Sequence, residues 1–182
     1  MFQPILQKLG MADSPVRSYF NINRCFVCNV SAVETTLKRC GACKMISYCG
    51  EAHQKQHWSN HKKFCKVLQK VEKKLPQDNF DDKKKWVTYR SLLSAECEKE
   101  LHRKLEKCEV LMIQFPKRCE TCRAMNANII CDQCLCVSYC SQEHKDKDSA
   151  FHAKNCQGLK SAMEIDMNLN SAIRMTCLWS LR

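Results

Sequence analysis

The chain has 182 residues, a formal net charge of +11, and 16 cysteines beside six histidines. This length allows one medium domain or two small ones, and no apolar run approaches the roughly 18 residues that a membrane helix needs, so no membrane partner is expected. The positive charge invites nucleic acid as a partner, but interleaved acidic and basic residues over 96–107 are typical of a solvated helix face.

Residues 1–23 are predicted to be a flexible N-terminus. Pro4, Lys8 and Gly10 interrupt its apolar residues, so the segment lacks the continuous apolar stretch of a secretory signal peptide. Acidic residues are scarce in it, which leaves a mitochondrial presequence as an alternative.

Residues 24–65, the first module, contain four closely spaced ligand pairs: two Cys-x2-Cys, one Cys-x3-His and one His-x3-Cys. The predicted metal ligands are Cys25, Cys28, Cys40, Cys43, Cys49, His53, His61 and Cys65. Eight soft ligands are enough for two tetrahedral zinc ions.

Residues 66–117 are predicted to be a helical spacer. Apolar residues recur at every third or fourth position, which predicts one amphipathic helix from Asp81 to Gln114, about 50 Å long, ended by Pro116. We expect its apolar stripe to pack against the modules, and a coiled-coil dimer is the alternative.

Residues 118–156, the second module, repeat the first. The spacing from Cys131 to Cys156 equals that from Cys40 to Cys65, at an offset of 91. The predicted ligands are Cys119, Cys122, Cys131, Cys134, Cys140, His144, His152 and Cys156. Residues 157–182 are predicted to be a helical tail, and the large apolar residues at its end suggest a truncated isoform.

Two arguments favour zinc over disulfides as the staple. Histidines at ligand spacing have no use in a disulfide framework. Modules of about 40 residues also cannot bury enough apolar surface to fold unaided. The predicted fold class is therefore two small, α-rich, zinc-stapled modules of knuckles and short helices, joined by a long helix. A reducing compartment follows, so we expect a nuclear or cytoplasmic location, with mitochondria as the alternative.

The pairs that share a metal are only partly fixed by spacing. A Cys-x2-Cys turn directs two sulfurs to one ion, and residues four apart on a helix converge as well. Cys49 and His61 lie twelve residues apart, about 18 Å along a continuous helix, which is too far for one zinc. Each helical pair must therefore join a Cys-x2-Cys pair, and spacing leaves open which one.

Several further residues accompany these ligands in the first module: Tyr48 before Cys49, Gln54 after His53, and Trp58. With them, residues 25–65 resemble a MYND zinc finger. The second module is similar more loosely, with Tyr139 before Cys140. The resemblance implies interleaved zinc sites: Cys25, Cys28, Cys49 and His53 on one ion, Cys40, Cys43, His61 and Cys65 on the other, and the equivalent sets in the second module.

MYND fingers are interaction modules, and several bind short proline-rich peptides of transcriptional corepressors. The resemblance implies that Gln54 and Trp58 contact such a peptide, whereas Trp58 packed beneath the finger is the alternative. The equivalent second-module residues are Lys145 and Ser149, so that module is not expected to bind in the same way. We therefore expect a zinc-binding adaptor that docks proline-rich segments of other proteins in transcriptional regulation.

No enzyme activity is expected, because closed four-ligand zinc sites leave no position for a reactive water. Some proteins with this finger carry a SET methyltransferase domain, but we recognise no SET-like glycine-rich segment before Cys25. Two alternatives remain: nucleic-acid binding through the basic run from Lys62 to Lys74, and a short form of a longer MYND-containing regulator or methyltransferase-related protein.

Four residues outside the ligand pattern carry predictions of their own. His57 is predicted to be an exposed helix residue, with a spare ligand as the alternative. Cys136 is predicted to be a small buried residue rather than a substitute for Cys134. Cys97 and Cys108 lie on the apolar stripe of the spacer and are predicted to be core residues.

Overall fold

The computed structural model describes residues 20–75, 83–125 and 127–179. Over these residues, the helices are α1 (Glu51–Lys74), α2 (Lys83–Leu101), α3 (Lys107–Gln114) and α4 (Gln142–Trp179). The strands are β1 (Lys38–Arg39), β2 (Ser47–Tyr48), β3 (Ile129–Ile130) and β4 (Ser138–Tyr139). None of the helices in this part of the chain has the length and apolar character needed to span a membrane.

Each module contains a two-stranded antiparallel hairpin that leads into a long helix. Lys38 pairs with Tyr48 in the first hairpin, and Ile129 pairs with Tyr139 in the second. Both partners keep the offset of 91, so the sequence repeat is also a structural repeat. The ligand-bearing helices are longer than the short helices we predicted, because α1 and α4 continue past the last ligand of each module.

The Cys-x2-Cys turns share an unusual backbone conformation at the residue after the second cysteine. These residues have positive φ angles: Asn29 (65°), Lys44 (58°), Arg123 (64°) and Leu135 (58°). Each donates its backbone N–H to the carbonyl of the first cysteine of its pair, at 2.8–3.0 Å. This hydrogen bond closes a tight turn, which brings the two cysteines of the pair together.

The predicted single helix over 81–114 is wrong, because the described part of it forms two helices. His102 takes a positive φ of 54°, and the N–H groups of His102 and Arg103 donate to the carbonyls of Lys99 and Glu98 at 3.3 Å. These two hydrogen bonds form a Schellman motif, which ends the helix at a residue in the left-handed conformation. The apolar spacing continues across the turn, so periodicity alone could not reveal it.

A capping box then starts α3. Glu106 and Glu109 exchange backbone and side-chain hydrogen bonds, and Arg103 binds both carboxylate oxygens of Glu109 at 2.7 Å. Glu109 is buried, so this bidentate pair satisfies a charge that would otherwise be costly to hide.

The main hydrophobic core joins the first module to the three helices that follow its hairpin. Phe64, Leu68 and Val71 project from α1 and pack in one cluster with Leu93 of α2 and Met112 of α3. The apolar stripe of the spacer therefore packs against the first module, as predicted. The second module has a much smaller buried cluster, formed by Cys119, Ala127 and Tyr139.

The segment just before the first module contacts the second module. Phe20, Ile22 and Asn23 are buried, although they fall in the stretch predicted to be flexible; the rest of that stretch, residues 1–19, lies outside the described residues. The amide nitrogens of Asn21 and Asn23 donate to the carbonyl of Leu135 at 3.2 and 3.0 Å.

Candidate zinc centres

The sixteen predicted ligands meet in four clusters, in each of which the ligand atoms lie within 4.8 Å of one another. In the first module, the outer cluster is Cys25, Cys28, Cys49 and His53, and the inner cluster is Cys40, Cys43, His61 and Cys65. In the second module, the outer cluster is Cys119, Cys122, Cys140 and His144, and the inner cluster is Cys131, Cys134, His152 and Cys156. The structure thus brings the ligands together in the interleaved arrangement.

The spacing of sulfurs within the clusters suits tetrahedral zinc. The sulfurs of Cys28 and Cys49 lie 3.7 Å apart, and those of Cys40 and Cys65 lie 3.8 Å apart. A tetrahedron with Zn–S bonds of 2.3 Å has an edge of about 3.8 Å. All four residues of the inner cluster of the first module are buried, so this site is closed to solvent.

The two kinds of histidine face their clusters with different ring nitrogens. His53 lies with Nδ1 at 2.9 Å from the sulfur of Cys49, and His144 repeats this at 3.1 Å from Cys140. His61 instead lies with Nε2 at 3.4 Å from the sulfur of Cys43, and His152 repeats this at 3.7 Å from Cys134. In both modules, the histidine of the Cys-x3-His pair therefore presents Nδ1 to its cluster, and the histidine of the His-x3-Cys pair presents Nε2.

Backbone N–H groups prepare the first cysteine of each outer cluster for metal binding. Burial disfavours the Cys25 thiolate, but backbone N–H groups, including that of Cys28, outweigh it and lower the pKa of Cys25 to about 6. Cys119 shows the same balance. Burial disfavours its thiolate, but backbone N–H groups, including that of Cys122, outweigh burial and lower the pKa of Cys119 to about 6. Both residues therefore favour the thiolate that zinc requires at neutral pH.

A buried tyrosine, named above only for its place in the sequence pattern, supports the centre of each module. Tyr48 Oη lies 2.9 Å from Nδ1 of His57, and Tyr139 Oη donates to Oδ2 of Asp148 at 2.8 Å. His57 and Asp148 are also related by the offset of 91. Burial raises the pKa of both tyrosines, so each remains a neutral phenol.

His57 is neither an exposed residue nor a member of a metal cluster. Its ring is half-buried, 4.2 Å from the ring of Phe26 and 5.6 Å from the ring of His61. It connects the buried tyrosine to a ligand histidine, so our prediction of an exposed helix residue is wrong. The repeat offset relates His57 to Asp148, but it does not reveal that either residue contacts a tyrosine.

The predicted peptide-contacting residues lie on α1 between the two ligand histidines. Gln54 and Trp58 are one turn apart on the same helix face. Gln54 is half-buried, and Trp58 keeps 36% of its surface exposed while its ring forms a T-shaped pair with that of His61, with ring centroids 6.1 Å apart. Trp58 thus contacts His61 on one side and keeps an accessible surface.

Cys97, Cys108 and Cys136 lie outside the four clusters. Cys97 and Cys108 are buried as predicted, and burial raises the pKa of each thiol to about 12. Cys136 is only half-buried, and its N–H donates to the Cys134 sulfur at 3.4 Å. Cys136 therefore supports Cys134 and does not replace it.

Comparison with known proteins agrees with the geometry of the first module. The family model described as the MYND finger matches residues 25–65. Residues 25–65 form a MYND finger. A MYND finger binds zinc and is generally a protein-interaction module, and the two clusters of this finger supply the ligands for two ions. The second module is supported as a zinc site by its own two clusters.

Several curated proteins share the finger. Histone-lysine N-methyltransferase ASHR1 of Arabidopsis thaliana is 40% identical over 52 residues, which cover 29% of this chain and 9% of that protein. SET domain and MYND-type zinc finger protein 6 of Schizosaccharomyces pombe is 46% identical over 50 residues, 27% of this chain and 10% of that protein. A SET and MYND domain-containing protein of Dictyostelium discoideum is 32% identical over 63 residues, which cover 35% of this chain and 12% of that protein.

The chain therefore spans only about a tenth of the length of these relatives. No solved structure matches it significantly.

Proposed function

We propose that the chain is a non-enzymatic adaptor whose MYND finger docks a proline-rich segment of another protein against Gln54 and Trp58. Trp58, which is exposed and pairs with the ring of His61, carries this proposal, because an indole held by a neighbour and with an open surface suits a rigid polyproline-like ligand. A recruiting role in transcriptional regulation would follow from partners of that kind.

The surroundings of Trp58 support a preformed docking surface. The neighbouring ligands His53 and His61 hold α1 at both sides of the tryptophan, so the helix cannot fray there once zinc is bound. The amide of Gln54, one turn away, can exchange hydrogen bonds with a peptide backbone that has few donors of its own.

The second module is proposed to be a MYND-like zinc finger with a different role. Lys145 and Ser149 occupy the positions of Gln54 and Trp58, so the aromatic contact is replaced by a small polar side chain. The aromatic residue exposed on this part of α4 is Phe151, which is 71% exposed and lies two residues away. It provides a matched control for Trp58.

The test is a calorimetric titration of the zinc-loaded chain with PxLxP-type peptides. We expect Trp58→Ala to weaken binding at least tenfold while zinc content, measured by mass spectrometry, is unchanged. Phe151→Ala should bind as tightly as the unmodified chain. Equal affinity for the unmodified chain and Trp58→Ala would overturn the proposal.

Nucleic-acid binding is the second candidate, favoured by the exposed lysines Lys62, Lys63 and Lys66 on α1. Farther along the helix, Lys70 and Lys74 both bind the carboxylate of Glu100, at 2.6 and 2.9 Å, which reduces the charge available to phosphates. A salt titration separates the candidates, because phosphate contacts predict a steep loss of affinity with ionic strength.

The non-enzymatic part of the proposal rests on the donor sets. Each cluster offers four ligands, which would close a tetrahedral site and leave no position for a substrate or water. The methyltransferase activity named for ASHR1 belongs to a protein of which this chain covers 9%. Detection of methyl transfer by the purified chain would contradict this part.

A further inference from the structure

The two ligand clusters of the MYND finger differ in their access to solvent. In the outer cluster, Cys28 is exposed, and Cys49 and His53 are half-buried. In the inner cluster, all four ligands are buried, with at most 3% of their surface exposed. A small reagent in solution therefore reaches the outer cluster more easily than the inner one.

The sulfur spacing, in contrast, is nearly the same in the two clusters. The sulfurs of Cys28 and Cys49 lie 3.7 Å apart in the outer cluster, and those of Cys40 and Cys65 lie 3.8 Å apart in the inner one. In each pair, the second sulfur is close enough to react with the first once that is oxidised. Because oxidation of a thiolate follows its exposure, solvent access decides which pair reacts.

The start of α1 depends on the outer cluster. Gly50 is the N-cap residue of α1 and makes no side-chain cap hydrogen bond. The first N–H groups of a helix have no partner within the helix, so a side-chain cap normally stabilises this end. Cys49 precedes the start of α1 and His53 lies in its first turn, so an ion bound by both residues would hold this turn in place.

The second module holds the equivalent helix start with additional hydrogen bonds. Ser141 stands at the offset of 91 from Gly50, and its hydroxyl oxygen accepts the N–H of His144 at 3.2 Å. The hydroxyl of Thr121 donates to the carbonyl oxygen of His144 at 2.8 Å. The first turn of α4 therefore has side-chain support that does not depend on a metal ion.

We propose that Cys28 and Cys49 form an oxidation site that controls the order of the first turn of α1. Peroxide converts the two thiolates to a disulfide, the outer cluster loses two of its four ligands and releases its ion, and the first turn of α1 unfolds. The buried inner cluster and the core at Phe64 keep the rest of the helix folded. Gln54 lies in the turn that unfolds, so oxidation weakens peptide docking; this consequence rests on the proposed function.

The oxidation balances with hydrogen peroxide as the oxidant. The Cys28 thiolate attacks a peroxide oxygen, the O–O bond breaks, and a sulfenic acid and a hydroxide form. The Cys49 thiolate then attacks the sulfenic sulfur, so the S–S bond forms and a second hydroxide leaves. Two electrons pass from the sulfurs to the peroxide, and two protons from the solvent convert the hydroxides to water.

The first test treats the zinc-loaded chain with hydrogen peroxide and maps its cysteines by mass spectrometry over time. We expect the pair Cys28 and Cys49 to be oxidised at least tenfold faster than the pair Cys40 and Cys65. A chromogenic chelator should detect at least one released zinc ion for each Cys28–Cys49 disulfide. Equal oxidation rates for the two pairs, or a disulfide without released zinc, would overturn the proposal.

The second test follows amide hydrogen exchange over residues 54–58 before and after oxidation. We expect amide protection there to fall at least tenfold in the unmodified chain. Gly50→Ser introduces the cap of the second module, and a Cβ atom at Gly50 would meet no atom within 4 Å. This variant should form the disulfide at the same rate and keep its protection. Unchanged protection over residues 54–58 in the oxidised unmodified chain, or an equal loss in Gly50→Ser, would contradict control of the helix start.

The reciprocal variant removes the extra support from the second module. Its outer cluster has an exposed Cys122, whose sulfur lies 3.6 Å from that of Cys140, so it should be oxidised as well. The unmodified chain should nevertheless keep amide protection over residues 145–149. Thr121→Val combined with Ser141→Gly should lose that protection at least tenfold on oxidation, and retention of it would contradict the role of the hydrogen bonds.

Titration with the PxLxP-type peptides separates this proposal from the proposed function. We expect oxidation to weaken peptide binding at least tenfold in the unmodified chain and to weaken it less in Gly50→Ser. A reduced chain that binds no peptide would contradict the proposed function and leave the oxidation site standing. Equal peptide affinity before and after oxidation would contradict the control of docking and leave the proposed function standing.

Discussion

The two modules share their ligand spacing from the second Cys-x2-Cys pair onward, their hairpin register and their Cys-x2-Cys turns, but differ in what surrounds them. Phe64, Leu68 and Val71 of α1 pack the first module into the helical core. At an offset of 91 the second module has Asn155, an exposed Leu159 and Ala162 instead. Among the described residues, the same zinc-binding pattern is therefore joined to a large hydrophobic core in one module and to a much smaller buried cluster in the other.

Removal of a zinc ligand should produce the largest loss of structure and the clearest difference between the two modules. Cys131→Ser breaks the inner cluster of the second module, and structural zinc contributes on the order of 10–16 kcal/mol in small fingers. We expect amide protection to disappear over residues 119–141 while α1, α2 and α3 keep theirs, as measured by hydrogen exchange.

The matched substitution is Cys40→Ser in the first module. It should remove zinc from the buried inner cluster and loosen the hairpin and the start of α1. If Cys131→Ser left the second module as protected as before, metal dependence would not distinguish the modules.

Leucine truncation at equivalent positions compares the cores directly. Leu68 is fully buried, so Leu68→Ala should cost about 2–5 kcal/mol of unfolding free energy. Leu159 is 36% exposed, so Leu159→Ala should cost less than about 1 kcal/mol. Denaturant unfolding of the zinc-loaded variants measures both, and similar costs would refute the contrast.

Loss of the buried carboxylate at the helix break should lower the stability of the first module, although Glu109 lies outside that module. Glu109→Ala removes both the capping box and the partner of Arg103, at a cost of about 2–3 kcal/mol. The unfolding midpoint should fall while four zinc ions are retained. Glu96→Ala, which removes an exposed carboxylate 3.9 Å from Lys99, is the control and should change little.

Substitution of the buried tyrosines should give the smallest difference in stability between the two modules. Tyr139 donates to a carboxylate, so Tyr139→Phe leaves Asp148 without this donor and should cost about 1–2 kcal/mol. Tyr48 faces a neutral or cationic imidazole, so we expect Tyr48→Phe to cost about 1 kcal/mol or less. A larger loss for Tyr48→Phe, measured by thermal unfolding, would reverse the expected order.

The metal sites could be predicted from the sequence because thiol and imidazole ligands must recur at fixed spacing. The helix break after Leu101 could not be predicted from the sequence. It depends on the left-handed conformation of His102 and on Glu109, whose side chain caps the start of the next helix. The role of His57 was equally hidden, because it depends on which residues meet after folding.

The continuity of α1 has a further consequence for recognition. One uninterrupted helix carries His53, Trp58 and His61 and then enters the core at Phe64. A partner that docks on Trp58 meets backbone that is already ordered, so association should cost little conformational entropy and proceed without a folding step.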